Sequence, residues 1–346
     1  MLKKIILIYG WLSLLPALAA CSPATAEPTA VADGGPLPAE TAPAATSTPA
    51  AEPLRPIRLP MGYIADPQFA PFYLAVDRGY FAEEGIELEF DYSFETDGVA
   101  LVGAGELPFA IVSGEQVVLA RAQALPVVYV FEWFERYPIA VISRQEVGLT
   151  EPEHLIGRSV GLPGFFGASY VGYAGLLSAN DISLDQVNAS EIGFTQVETL
   201  LTGQVEAVVG YVNNEPVQLR GREVAINVIE VADYVNLVAN GVITNQQTLD
   251  QEPELVAAFV RALRRSLADT LADPQAAFES SKRFVEGLDE GRYSVLEASL
   301  DLWRADQLGH TDPAAWQQTE AVLLEIGFLD APIEGLEKAY TNQFVE

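Results

Sequence analysis

The chain has little of what most catalytic and nucleotide-binding sites are made from. Its 346 residues hold one cysteine, two histidines and two methionines, and 19 Lys and Arg stand against 48 Asp and Glu. A single thiol, Cys21, cannot form an internal disulfide. With His154 and His310 the only imidazoles, no Ser-His-Asp set, metal cluster or cysteine nucleophile with its base can be assembled. Beyond Lys3 and Lys4 the only lysines are Lys282 and Lys338, so the Gly-rich run Gly161-Leu162-Pro163-Gly164-Phe165-Phe166-Gly167-Ala168 lacks the lysine of a triphosphate loop. A formal net charge of −29 works against nucleic acid, anionic lipid and highly anionic solutes, although acidity of this size also serves solubility. After the first twenty residues no apolar run is long enough to span a membrane.

What is present starts with an address. Lys3 and Lys4 precede an apolar run from Ile5 to Ala20 that ends Leu18-Ala19-Ala20-Cys21. A charged head, a short apolar run and small residues before a cleavage point predict a secretory leader over 1–20. A cysteine directly after Leu-Ala-Ala is the acceptor pattern of bacterial lipoproteins, so Cys21 is the expected lipidation site. The alternative, an uncleaved anchor, has a run short for the ~20 residues a helical span needs. Two acyl chains would hold the protein at the extracytoplasmic face of a cell membrane. Residues 21–55 are mostly Ala, Pro, Thr and Glu and predict a disordered tether, because such a segment buries too little apolar surface to offset its ordering entropy.

About 290 residues remain, with strand and helix patterns in alternation. Strands are predicted at 56–63, 87–92, 109–112, 127–132, 139–143, 159–162, 188–192, 207–211, 224–231 and 237–244. Helices are predicted between them at 71–78, 98–104, 114–124, 169–179 and 196–202, then over 253–272, where Leu255, Phe259, Leu263, Leu267 and Leu271 recur every fourth residue. Such alternation predicts α/β layers, with a helical tail after them.

One stretch narrows this further. Met61 to Phe90, MGYIADPQFAPFYLAVDRGYFAEEGIELEF, reads as strand, Pro-bearing loop, short helix, Gly turn and strand. Tyr73, Ala75, Gly79, Tyr80, Phe81, Glu84, Gly85 and Ile86 fit the pattern Y-x-A-x-x-x-G-Y-F-x-x-E-G-I/L. The arrangement resembles the opening of solute-binding proteins of ABC importers, in the family that includes thiamine-pyrimidine-precursor and riboflavin binders. The run FETDG…LVGAGELPFAIVSGEQVVLARAQALPVVYV looks closest to the riboflavin branch. The resemblance covers about 56–290 and implies a two-lobed periplasmic-binding-protein fold of type II, with the ligand in the interlobe cleft. It implies lobe one over 56–139 and 243–346, lobe two over 140–242, and crossings near 137–144 and 236–244.

Four clusters are candidates to line that cleft. The first is the loop and helix start with Gln68, Phe69, Phe72 and Tyr73, at the end of a strand, where open α/β sheets bind ligands; core packing is the competing reading for Phe72 and Tyr73. The second pairs the turn at Thr96 with Ser113-Gly114-Glu115, where capping competes with ligand contact and Glu115 could meet a ligand N–H. The third is Phe131-Glu132-Trp133-Phe134-Glu135-Arg136-Tyr137: Trp133 is the candidate to stack on a flat heterocycle and Tyr137 lies beside it, while packing accounts for Phe131 and Phe134. The fourth joins Phe165 and Tyr170 to Tyr211, Asn213, Asn214 and Glu215. In related pyrimidine-precursor binders an Asn and a Glu of the matching segment contact the ring's polar edge, and a plain surface turn is the competing reading.

The resemblance implies capture of a small vitamin and its delivery to a permease and its ATPase by a monomer, without cofactor, metal or catalysis. Riboflavin is the expected cargo, a thiamine pyrimidine precursor the runner-up, and a sulfonate third, since no bidentate cation clamp is visible. An enzyme of the kind a fungal relative represents would need a cofactor lysine, an active-site histidine and a Cys-rich iron motif. A surface lipoprotein for adhesion or sensing is the third class.

Overall fold

The computed structural model describes residues 53–346, and Ala51–Glu346 forms one compact unit. The leader over 1–20, Cys21 and nearly all of the tether lie outside the described residues. Of the expected tether, Arg55 already belongs to the first strand.

The first part of the chain runs β1 (Arg55–Gly62), α1 (Ala70–Asp77), α2 (Tyr80–Glu83), β2 (Ile86–Phe94), α3 (Glu95–Gly103), β3 (Ala110–Ser113), α4 (Gly114–Ala122) and β4 (Val127–Glu132). The middle holds β5 (Ile139–Arg144), β6 (Ser159–Leu162), α5 (Gly167–Ser178), β7 (Asn188–Glu191), α6 (Gln196–Leu201), β8 (Ala207–Tyr211), α7 (Glu215–Gly221) and β9 (Ile226–Glu230). Then come β10 (Asn240–Asn245), α8 (Gln246–Gln251), α9 (Pro253–Ala272), α10 (Pro274–Ser281), α11 (Tyr293–Trp303) and α12 (Pro313–Glu325). Every strand expected from the sequence is present. Helix α7 is new to it, because its first turn reads as part of a polar loop.

Two groups of strands give the two lobes. In one, β1 pairs parallel with β2, and β10 lies antiparallel between β3 and β4, with β1 packed beside β3. In the other the order is β7-β6-β8-β5-β9. Strands β4 and β5 are apolar on both faces and almost wholly buried, as strands covered on both sides must be. By contrast β2 alternates, sending Glu87 and Glu89 to solvent along its outer face. The chain passes from the first group to the second over 133–138 and returns over 231–239. Of the expected crossings near 137–144 and 236–244, residues 139–144 are strand β5 and 240–244 belong to β10.

Helix α9 closes the first lobe, burying Phe259, Leu263 and Leu267 against α1 and α2 at roughly 1.5–3 kcal/mol for each such side chain. On its outer face Arg261 and Arg265 reach Glu84 and Glu83 at 2.7 and 2.6 Å. The last helices do not stay with one lobe. Helix α11 packs on the 67–69 turn and on α7, and α12 packs on both α4 and α5.

Candidate functional site

Helices α3, α4 and α7 each follow directly, or within three residues, on the end of a strand, and each carries a glutamate in its first turn: Glu95, Glu115 and Glu215. A helix N-terminus favours a negative charge. All three carboxyls are nevertheless pushed upward, because burial outweighs the helix dipole.

Glu95 and Glu115 meet on Ser113. Its hydroxyl lies 2.6 Å from Glu95 Oε2 and 2.5 Å from Glu115 Oε1, and its N–H donates to Glu95 Oε2 at 3.2 Å. Asn240, opposite Ser113 in the β3–β10 ladder, donates its side-chain N–H to Glu95 Oε1 at 3.2 Å. Burial, then the nearby Glu95 charge, raise Glu115 to about 8. Two glycines make the approach possible. Gly62 sits at φ +75°, and a Cβ there would meet Glu95 Cγ at 2.7 Å; a Cβ on Gly114 would meet Val238 at 2.4 Å.

The second lobe closes on this group with Tyr211, Tyr137 and the α7 turn. Tyr211 and Tyr137 are both pushed up, first by burial and then by the glutamates of the opposite lobe. Tyr137 donates to Ala168 O at 2.9 Å. Glu215 Oε2 accepts the Tyr211 N–H at 2.8 Å, and burial raises its carboxyl to about 7. Asn214 Nδ2 lies 3.4 Å from Glu215 Oε1, and its Oδ1 accepts from Gln218 at 2.9 Å. Tyr63, raised by burial and by Asp66 and Glu215, belongs to the same rim. Asp66 is 4% exposed and hydrogen-bonded by Arg292, yet burial still leaves its carboxyl raised.

Of the residues expected from the sequence, the structure thus brings together Ser113, Glu115, Tyr137, Tyr211, Asn214 and Glu215. Others go elsewhere. Trp133 is 2% exposed, with Phe69 and Trp303 stacked on it at 5.3 and 5.9 Å and Phe72 and Phe134 edge-on. A flat ligand could reach its faces only by displacing those rings. Tyr73 is fully buried, stacked on Phe284 at 4.8 Å and joined to the Tyr92 hydroxyl at 3.0 Å. Asn213 is tied to Ser299 of α11 at 2.9 Å. Thr96 faces solvent, Gln68 is half-buried on its loop, and Phe165 packs edge-on to Tyr170, which leans on Phe328. Glu95, Asn240, Tyr63, Asp66 and Arg292 were not anticipated. Glu95 and Asp66 stand inside the two polar turns singled out from the sequence, so the signal was there without the direction of the side chain.

Arg136, the one arginine among the candidate clusters, is engaged by Glu230 and Asp233 at 3.0 and 2.9 Å. Among the described residues, neither Glu95 nor Glu115 is in an ion pair. No helix among the described residues is long and apolar enough to cross a membrane.

Comparison with known proteins agrees with this architecture. The model of the family described as NMT1/THI5 like matches residues 66–277. The chain is 40% identical to the riboflavin-binding protein RibY of Chloroflexus aurantiacus, over 100% of this chain and 99% of that one. It is 26% identical to the formylaminopyrimidine-binding protein of Halalkalibacterium halodurans, over 75% and 82%. The periplasmic aliphatic sulphonate binding protein SsuA of Escherichia coli shares the fold, with a TM-score of 0.68 at 10% identity over 82% of this chain and 91% of that one.

Proposed function

The chain belongs to the NMT1/THI5-like family, and on that premise we propose that it is the substrate-binding lipoprotein of an ABC importer which captures riboflavin and hands it to a membrane permease. The observation that carries this reading is the hydrogen-bonded cluster of Glu95, Ser113, Glu115 and Asn240, which Glu215 approaches only by way of Tyr211. It is rich in acceptors and carries no free cation to clamp an anion. An uncharged heterocycle with ring N–H groups fits it, and a sulfonate does not. The full-length likeness to a riboflavin-binding protein supports the flavin over a thiamine pyrimidine precursor, which is the second reading.

The lobe division, with crossings over 133–138 and 231–239, belongs to this proposal. So do the leader, the lipid anchor on Cys21, the monomeric state and the extracytoplasmic location. The protein is read as a receptor and not an enzyme. Of the two lysines among the described residues, Lys282 and Lys338, the first is held by Glu279 and Glu290 at 2.8 and 2.6 Å.

The test is a tryptophan-quenching and thermal-shift titration of residues 51–346 with riboflavin, FMN and aminopyrimidines. Saturable binding of riboflavin in preference to FMN is the expected result. Preference for the pyrimidines would move the protein to the second reading, and no response to any of them would overturn the vitamin cargo.

A further inference from the structure

A serine hydroxyl has one proton to give and lone pairs to receive with. Ser113 Oγ stands at hydrogen-bond distance from two carboxyl oxygens, Glu95 Oε2 at 2.6 Å and Glu115 Oε1 at 2.5 Å. It can donate to only one of them. The other contact holds only if that carboxyl brings a proton of its own.

The surroundings say which one does. Glu95 receives the Ser113 N–H, the Ser113 O–H and the Asn240 Nδ2–H, three donors that stabilise a carboxylate. Glu115 is 0% exposed and has, besides Ser113, only its own backbone N–H and a long contact with the Gln116 amide at 3.5 Å. The titratable groups facing it are Glu95 from α3, Tyr129 from β4, Tyr137 from the passage into β5 and Tyr211 from β8, with Glu215 of α7 behind Tyr211. Glu115 therefore carries the proton and donates it to Ser113.

This arrangement leaves two acceptors without partners. Glu115 Oε2 is unpaired, and because the Asn240 amide nitrogen is turned to Glu95, Asn240 Oδ1 is unpaired as well. Both residues are more than nine-tenths buried, and Asn240 lies opposite Ser113 across the ladder. Buried acceptors of this kind ordinarily find a donor.

We infer that Glu95, acting through Ser113, holds Glu115 as a neutral carboxylic acid, and that Glu115 Oε2 and Asn240 Oδ1 form an acceptor pair that selects an uncharged ligand bearing ring N–H donors. The inference rests on the vitamin-capture reading and narrows it. An anionic ligand would meet acceptors and a carboxylate where it needs donors.

Two measurements test it on residues 51–346. Infrared spectroscopy of the ligand-free protein at pH 7 is expected to show a buried carboxylic-acid carbonyl band that Glu115→Gln removes and that Glu95→Gln makes disappear at lower pH. Because a carboxylate accepts a ring N–H more strongly than the neutral acid does, riboflavin affinity is expected to rise, by up to about tenfold per pH unit, as pH passes the Glu115 value of about 8. Glu115→Gln, which keeps an acceptor and a group that can donate to Ser113, should flatten that profile and bind within about threefold of the unmodified protein at pH 7. Glu115→Ala should bind at least about tenfold more weakly. A missing band, or a Glu115→Gln protein that keeps the pH profile, overturns the inference whether or not riboflavin binds. A band that is present without any riboflavin binding overturns the proposed cargo, and with it the ligand half of the inference, leaving the protonated Glu115 standing.

Discussion

Strands β3 and β4 run side by side with β10 between them, and their ends lead into opposite kinds of interior. Beyond β4, Trp133 and Phe134 join Phe69, Phe72 and Trp303 in an aromatic cluster. Beyond β3, Ser113 and Glu115 join Glu95 in a polar one. Asn240 serves both. Its carbonyl accepts from the N–H of Trp133 and Phe134 at 3.1 and 3.0 Å, while its side chain turns to Glu95. Aromatic rings satisfy one another largely by contact, and what the first cluster leaves unpaired is two donors, the buried indole N–H groups of Trp133 and Trp303. Two carboxyls cannot satisfy each other without a proton, and the second cluster keeps acceptors unpaired at roughly 1–3 kcal/mol each. The aromatic residues that stand out most in the sequence thus mainly build the wall, and the less conspicuous polar ones remain available to read a ligand.

The strongest way to break this contrast is Trp133→Ala. If Trp133 is wall, chemical denaturation should show a loss of about 3–5 kcal/mol. A variant of full stability with riboflavin affinity reduced at least tenfold would instead make the ring a ligand platform. The polar side is sharpened by pH. Glu115 at about 8 and Glu215 at about 7 bind protons more tightly in the folded protein than in the unfolded chain, where glutamate titrates near ~4.3. Their stabilising share is complete below the unfolded value and is lost as pH rises through the folded ones. Stability should therefore fall between about pH 5 and pH 8, by up to about 1.4 kcal/mol per pH unit for each group, and Glu115→Gln should remove one share of that slope. Melting temperatures that stay flat across this range would contradict the polar cluster as described.

A smaller effect is expected at the rim. Arg292→Ala leaves the buried Asp66 carboxyl without its partner and should lower stability by about 1–2 kcal/mol, read from thermal melts. The smallest change in stability belongs to Glu215→Gln, whose amide oxygen can still accept the Tyr211 N–H at 2.8 Å. Its melting point should move by less than about 1 kcal/mol in equivalent stability, while affinity for a ligand with ring N–H donors falls more. An equal loss of both would make Glu215 a structural residue.

Most of the architecture was legible beforehand, for reasons that are local. Val127–Glu132, Ser159–Leu162, Ala207–Tyr211 and the helix Pro253–Ala272 begin and end where pattern and breakers place them. Helix α7 escaped because Asn213-Asn214-Glu215 reads as a turn, although Pro216 near its start was a usable signal for a first helical turn. Helix α3 starts at Glu95, three residues before the expected Gly98. Neighbouring helix residues point about 100° apart, so that shift turns Glu95 inward and Thr96 to solvent.

The amino-acid sequence by itself determined the α/β alternation, the family resemblance, the acidity and the shortage of cations, because each is a property of composition or of near neighbours along the chain. Only the tertiary structure decided that Glu95, Ser113, Glu115, Tyr211, Glu215 and Asn240 meet, and that Trp133 is enclosed by other rings. The paired contacts of Ser113 and a raised carboxyl depend on distances through space and on exclusion of water. Residues 145 positions apart, such as Glu95 and Asn240, acquire both only when the chain folds.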